Sequence, residues 1–129
     1  MSSSTFAFTK LVVDDLEKMT AFYVAAYGLK QVQRVQAAIG AEAIDETILG
    51  PAEGEGAMLI LMKYVDRAPP PRGEVLLGFR TDDIEALFER VRASGGGVHL
   101  PIKHDEGSPY KAGFATDPEG HVAEVLQFV

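Results

Sequence analysis

The 129-residue sequence contains no cysteine, which excludes disulfides, thiolate zinc sites, iron–sulfur clusters and cysteine nucleophiles together and permits a reducing compartment. Positive charge is in short supply: 12 Lys and Arg stand against 19 Asp and Glu, a formal charge of −7. That balance repels phosphate backbones and anionic lipid unless a basic patch overrides it. No such patch occurs, so neither nucleic acid nor a membrane is expected as a partner. No apolar run approaches the roughly 18 residues of a membrane span. Residues 1–8 have neither a basic segment nor an apolar run, and a cytoplasmic location is the expectation. The glycines at 95–97 follow a helical segment instead of opening one, which removes the phosphate cradle that a nucleotide site needs. What is present, 47% hydrophobic and 24% charged residues, is ordinary for one packed domain, and the length excludes two conventional ones.

A weak internal repeat organises the chain. Asp14-Asp15-Leu16-Glu17 recurs half a chain later as Asp82-Asp83-Ile84-Glu85. Each copy follows an apolar run, residues 6–13 and 75–79, and precedes a helical pattern, Leu16, Met19, Phe22 and Tyr23 in one and Ile84, Leu87, Phe88 and Val91 in the other. Asp14 with Glu17, and Asp82 with Glu85, have the spacing of a capping box, in which the Asp accepts a free first-turn N–H and the Glu reaches back. Gly28 and Gly95 are the expected stops, since glycine takes the left-handed conformation that closes a helix. Short strand-like stretches follow at 29–36, 41–49 and 57–62, and again at 98–102, 110–115 and 122–128. Between the halves, Ala68-Pro69-Pro70-Pro71-Arg72-Gly73 continues neither helix nor ladder. The pattern predicts an α+β fold of two βαβββ modules, about 6–64 and 74–128 with a linker at 65–73, built of curved, mainly antiparallel sheets with helices on the outer face.

Val13-Asp14-Asp15-Leu16-Glu17-Lys18, followed by Phe22-Tyr23 and Gly28-Leu29, and Asp117-Pro118-Glu119-Gly120-His121 leading to Glu124, occur in an order and spacing that resembles the vicinal-oxygen-chelate superfamily. That superfamily includes glyoxalase I, bleomycin-resistance proteins and extradiol dioxygenases. The resemblance runs over residues 6–128 and implies sheets that curl around a cavity, as well as a homodimer. Metal-dependent members place ligands on the first and last strand of each module, and the matching positions are Phe8, Ile60, Leu76 and Glu124. Only Glu124 is a donor, and a one-residue shift offers Ala7 or Thr9, Leu59 or Leu61, Val75 or Leu77, none of them a good ligand. No metal and no other cofactor is therefore expected. The resemblance then implies one of two functions. The chain either captures a small organic molecule, as the bleomycin-resistance branch does, or is a lyase, isomerase or dioxygenase-type enzyme. As an enzyme it would be lactoylglutathione-lyase-like and metal-independent with Glu124 as base, or would use Glu124 as a metal ligand.

Strand alternation sorts the candidate residues. If Glu124 faces the cavity, so do Val122 and Leu126, with Phe6, Phe8, Lys10 and Val12 on the first strand. Met58, Ile60 and Met62 join them on the fourth strand, and Leu76, Gly78 and Arg80 on the fifth. This is an apolar pocket whose polar groups are Lys10, Arg80 and Glu124, with methionines as adaptable walls. The ligand-contacting candidates are Phe8, Lys10, Met58, Ile60, Met62, Leu76, Arg80 and Tyr110, and the catalytic candidate is Glu124. The same residues equally suit a filled core, with Lys10 and Glu124 paired across it. A carboxylate held among apolar side chains gains affinity for a proton, as a general base must, and a neighbouring cation works against that. Tyr110 and Phe114 share a parity that fits either the cavity or the helix layer. His121 points away from Glu124 and reads as a turn or surface residue, His99 as an edge or core residue, and residues 104–109 as a solvated loop.

Overall fold

The computed structural model describes residues 3–71 and 73–129. Met1, Ser2 and Arg72, the last within the expected linker, lie outside the described residues. The first half runs β1 (Phe8–Val12), α1 (Leu16–Tyr27), β2 (Lys30–Ile39), β3 (Glu42–Gly50) and β4 (Met58–Tyr64). The second repeats the order with β5 (Leu76–Arg80), α2 (Ile84–Ala93), β6 (Gly97–Lys103), β7 (Tyr110–Thr116) and β8 (Val122–Phe128). Each half forms a four-stranded mixed sheet, ordered β1-β4-β3-β2 and β5-β8-β7-β6. In both sheets the opening strand lies parallel to the closing one, and the other pairings are antiparallel. The chain divides into two compact units, Met1–Val24 with Gly28–Pro70, and Ala25–Tyr27 with Pro71–Val129.

The helix starts differ by one residue from the sequence expectation. The caps are Asp15 and Asp83, whose carboxylates accept from Lys18 N and Ala86 N, both at 3.0 Å. The residue three beyond each cap is thus Lys18 or Ala86, so the reciprocal bond of a capping box does not form. Glu17 instead meets Arg34 at 2.8 Å and Glu85 meets Lys111 at 2.8 Å. At its other end α1 closes on Gly28, whose φ of 69° is the left-handed conformation expected there. Strand β2 runs past residue 36 to Ile39, because nothing in Ala37-Ala38-Ile39 interrupts pairing before Gly40, whose φ of 60° opens the hairpin.

In the first unit Leu16, Met19, Phe22 and Tyr23 of α1 are buried with Leu11, Leu49, Leu59 and Leu61 from the strands. In the second, α2 packs on β6, β7 and β8 through Ile84, Leu87, Phe88 and Val91. Approach there is close enough to require glycine: a Cβ at Gly113 would stand 2.7 Å from Phe88 Cζ. No helix among the described residues is long and apolar enough to cross a membrane.

Candidate functional site

Each sheet has one face under the helix of its own unit and one, the open face, without it, although Ile44, Glu46, Ile60 and Met62 on the first such face are buried; the register decides which side chain is where. In the first unit Lys10 pairs with Ile60 and Ile60 with Ile48, while Val12 pairs with Met62 and Met62 with Glu46. Residues in register point to the same side, so Phe8, Lys10, Met58, Ile60, Met62 and Glu46 share a face. Helix α1 lies on the other face, where Thr20 Oγ1 donates to Thr47 Oγ1 at 3.0 Å. Between β1 and β4 this face is apolar except for Lys10, while β3 adds Glu46 and Glu42 to it and β2 adds Gln33, in register with Ile48. Lys10 and Glu46 form an ion pair, Lys10 Nζ standing 2.7 Å from Glu46 Oε2.

The pair is asymmetric. The Glu46 side chain is 7% exposed and that of Lys10 33%. Oε2 is shut away from water, and the Lys10 ammonium is its partner. Strands β1 and β3 both flank β4, so their backbones are about 10 Å apart at two strand spacings. The long Lys10 stem and the Glu46 side chain bridge that gap and cross over β4 where Ile60 and Met62 point up, 6% and 3% exposed. Lys10 is thus committed to Glu46 instead of Glu124. Glu46 was not among the residues singled out in the sequence, although Ile44, Glu46 and Ile48 alternate around it, the signature of a charge on an apolar strand face.

In the second unit Gly78 and Phe114 both pair with Glu124, Leu76 with Val122, and Arg80 and Ala112 with Leu126. Leu76, Arg80, Glu124, Phe114 and Tyr110 therefore share the open face, which resolves the parity left open for Tyr110 and Phe114. On the opposite face Lys111 reaches Glu85 of α2, and Gln127 Oε1 accepts from Ile84 N at 2.8 Å. Leu76 and Phe128 are each 55% exposed. The Arg80 guanidinium lies 5.7 Å from the Phe128 ring centroid, and Tyr110 meets that ring edge-on. Glu124 is half-buried between Phe114 and Gly78, with no ion pair or hydrogen bond to it found among the described residues. A Cβ at Gly78 would meet nothing within 4 Å, which leaves room beside the carboxylate.

The histidines stand apart from these faces. His121 Nδ1 lies 2.8 Å from Asp117 Oδ2, and the Asp117 carboxylate also accepts from the Glu119 and His121 backbone N–H groups. This closes the turn into β8. The residue is a turn histidine, as expected, but its side chain is only 9% exposed. His99 is exposed on β6, the edge strand. His104 Nε2 lies 2.9 Å from Ser108 O, tying an exposed loop to itself.

The positions that match metal ligands in the family do not fit a divalent ion. Phe8 and Ile60 on the first open face and Leu76 on the second offer only carbon, and Glu124 alone leaves a cation mostly to water. Among the described residues no group of three or more His, Cys, Asp or Glu is arranged to hold a metal.

Two βαβββ units, each with one helix-covered face and one open face carrying an acid among apolar side chains, define the class of the duplicated βαβββ fold. The sequence model of the Glyoxalase/Bleomycin resistance protein/Dioxygenase superfamily matches residues 5–125, and the chain belongs to that superfamily. It is 29% identical over 122 residues to the lactoylglutathione lyase of Haemophilus influenzae, covering 92% of this chain and 89% of that protein. It is 26% identical over 129 residues to a probable lactoylglutathione lyase of Vibrio parahaemolyticus, covering 98% and 93%. Among solved structures, a glyoxalase family protein from Bacillus cereus shares the fold with a TM-score of 0.85 at 14% identity, over 100% of this chain and 97% of that one.

Proposed function

We propose that the protein binds a small organic molecule with an aromatic or amphipathic body and does so without a resident metal. Phe8, Lys10 and Met58 are the contact residues on the open face of the first sheet, whose Ile60 and Met62 are buried, and Leu76, Arg80 and Tyr110 present a second such face in the other unit. The observation that carries this reading is the donor set. Where the family's metal-dependent members hold ligands, this chain has Phe8, Ile60 and Leu76, while the faces around them remain apolar, as ligand-binding surfaces are. The exposed Leu76, Leu100 and Phe128 also suit burial in a homodimer. Sedimentation of the purified chain tests that part, and a monomer at all concentrations removes it.

One observation favours a second reading, a metal-independent lyase or isomerase. The Glu124 carboxylate stands among apolar groups with no partner found among the described residues and with open space beside it, an arrangement suited to taking a proton from a substrate. Metal content after purification without chelator, followed by lactoylglutathione lyase assays with chelator and with added nickel, cobalt, zinc or manganese, separates the possibilities. The expected result is no stoichiometric metal and no metal-dependent turnover. Tight, stoichiometric metal with metal-dependent activity overturns the assignment of the donor set. Turnover in chelator that disappears in a folded Glu124→Gln variant establishes the second reading, and unchanged turnover in that variant removes Glu124 as its base.

A further inference from the structure

We infer that the ligand of the first open face carries an anionic head group, a carboxylate on an apolar body, and that Lys10 is the residue that recognises it. The inference rests on the small-molecule reading above and names the chemistry of its ligand. The reason lies in which end of the Lys10–Glu46 pair a visitor can touch. Glu46 Oε2 is closed off from solvent and the Glu46 side chain is 7% exposed, whereas the Lys10 side chain is 33% exposed. Of the two side chains that of Lys10 is the more accessible, so a visitor reaches the donor end of the pair before the acceptor end although the pair as a whole is neutral. An ammonium has three N–H donors, and the single Glu46 oxygen at 2.7 Å engages one of them. No other acceptor for Lys10 is found among the described residues, so donors remain for an incoming one.

Position and preorganisation strengthen the case. The pair crosses β4 above Ile60 and Met62, so the ammonium is held in the middle of an apolar strip with Phe8 and Met58 beyond it. A lysine on an open surface loses rotamer freedom when it grips an anion; one already drawn to a buried carboxylate 2.7 Å away has lost much of that freedom on folding. A charge-assisted hydrogen bond made against apolar surroundings is also stronger than one made in water. Lys10 is the one cation in the β1–β4 strip from Phe8 to Val12 and Met58 to Met62, which matches a single carboxylate better than a phosphate dianion. A cationic ligand would have to displace Lys10 before reaching Glu46.

The test is an equilibrium titration with three probes of the same aromatic body: 1-naphthoate, methyl 1-naphthoate and 1-naphthylmethylammonium. The unmodified protein is expected to bind naphthoate about tenfold or more tighter than the ester and the ammonium most weakly. In a Lys10→Met/Glu46→Gln double variant, which leaves neither charge on the face, that preference should fall to near unity. Lys10→Gln serves the same purpose where the double variant fails to fold. Lys111→Met, which removes a cation from the helix-covered face of the other sheet, should keep the preference. An ester or ammonium bound as tightly as naphthoate overturns the inference and leaves the small-molecule reading intact. So does a preference that survives loss of Lys10 or disappears with Lys111. Binding of none of the three probes overturns both.

Discussion

Removing one end of the Lys10–Glu46 pair should cost far more than removing the other. Lys10→Met strands a carboxylate whose side chain is 7% exposed, beside Met62 and Ile60 at 3% and 6% exposure. Breaking a fully buried pair in this way costs about 3–5 kcal/mol. Because the ammonium side of this pair is 33% exposed and water can follow the shortened side chain in, about 3 kcal/mol is the expected loss. Glu46→Gln leaves the opposite orphan, an ammonium that can turn toward solvent, while Gln keeps the volume; about 1 kcal/mol is expected. In the double variant no charge remains on the face, so its cost should fall below that of Lys10→Met alone, a coupling of about 1–2 kcal/mol between the sites. Urea unfolding at neutral pH with linear extrapolation measures all three, with unchanged slopes as the check that the unfolding reaction is the same. The largest effect corresponds to a melting temperature lower by about 10 °C. The reasoning fails if Lys10→Met is as mild as Glu46→Gln, or if the double variant is less stable than Lys10→Met.

Gly113→Ala should destabilise by about 1–3 kcal/mol, since its Cβ would lie 2.7 Å from Phe88 Cζ and 3.3 Å from Ile102 Cα, inside the usual 3.5–4.0 Å or so of carbon contacts. The loss should shrink in a Phe88→Leu background, and a neutral Gly113→Ala in urea unfolding would contradict the close packing of α2. Asp83→Ala should cost about 1 kcal/mol as the loss of a cap, and Asp82→Ala a few tenths at most; equal costs would undo the cap assignment. Arg34 donates from Nε and Nη2 to the two Asp45 carboxylate oxygens at 2.8 and 2.7 Å, which holds the Asp45 carboxyl below its ordinary range. A folded value below the unfolded one stabilises at neutral pH, and the stabilisation is lost as pH falls below about 4. Arg34→Gln should therefore cost about 0.5–1 kcal/mol at pH 7 for a surface pair, and progressively less as pH falls through the acid range. A pH-independent difference between the two proteins would show that the pair contributes no such linkage.

The fold was legible because its signals are local. Apolar residues at helical spacing, glycines at the helix ends and prolines between the halves each act within a few residues, and the repeat of an acidic tetrad shows that the pattern is used twice. Helix starts were legible to within one residue and no better. Asp14-Asp15 and Asp82-Asp83 each offer two side chains with the right chemistry, and the backbone decides between them: Asp15 at φ −109°, ψ 94° and Asp83 at φ −148°, ψ 90° are extended, as a cap must be. The length of β2 was under-read for the complementary reason. Its outer strand position lets Gln31, Gln33, Arg34 and Gln36 face water, so no apolar alternation marks how far pairing continues.

Alternation reads which face a side chain occupies, and it does so one strand at a time. Partners depend on strand order, a long-range property, and that is why Lys10 could be placed on a face while Glu46 went unnoticed. The two residues lie on β1 and β3, strands that never pair with each other, and only the intercalation of β4 between them brings the charges to 2.7 Å. The same order explains the chemical character of the first open face. A carboxylate at position 60 would rise into the space that the Lys10–Glu46 pair now crosses and would compete with Glu46 for the ammonium. An isoleucine there, 6% exposed, brings no charge to compete with Glu46. On the second face Glu124 has kept its acid but not a partner, since Gly78 and Phe114 beside it bring no charge and Arg80 lies against Phe128. The duplicated fold thus carries two acids in different settings, Glu46 tied to a cation and Glu124 with no ion pair or hydrogen bond found among the described residues.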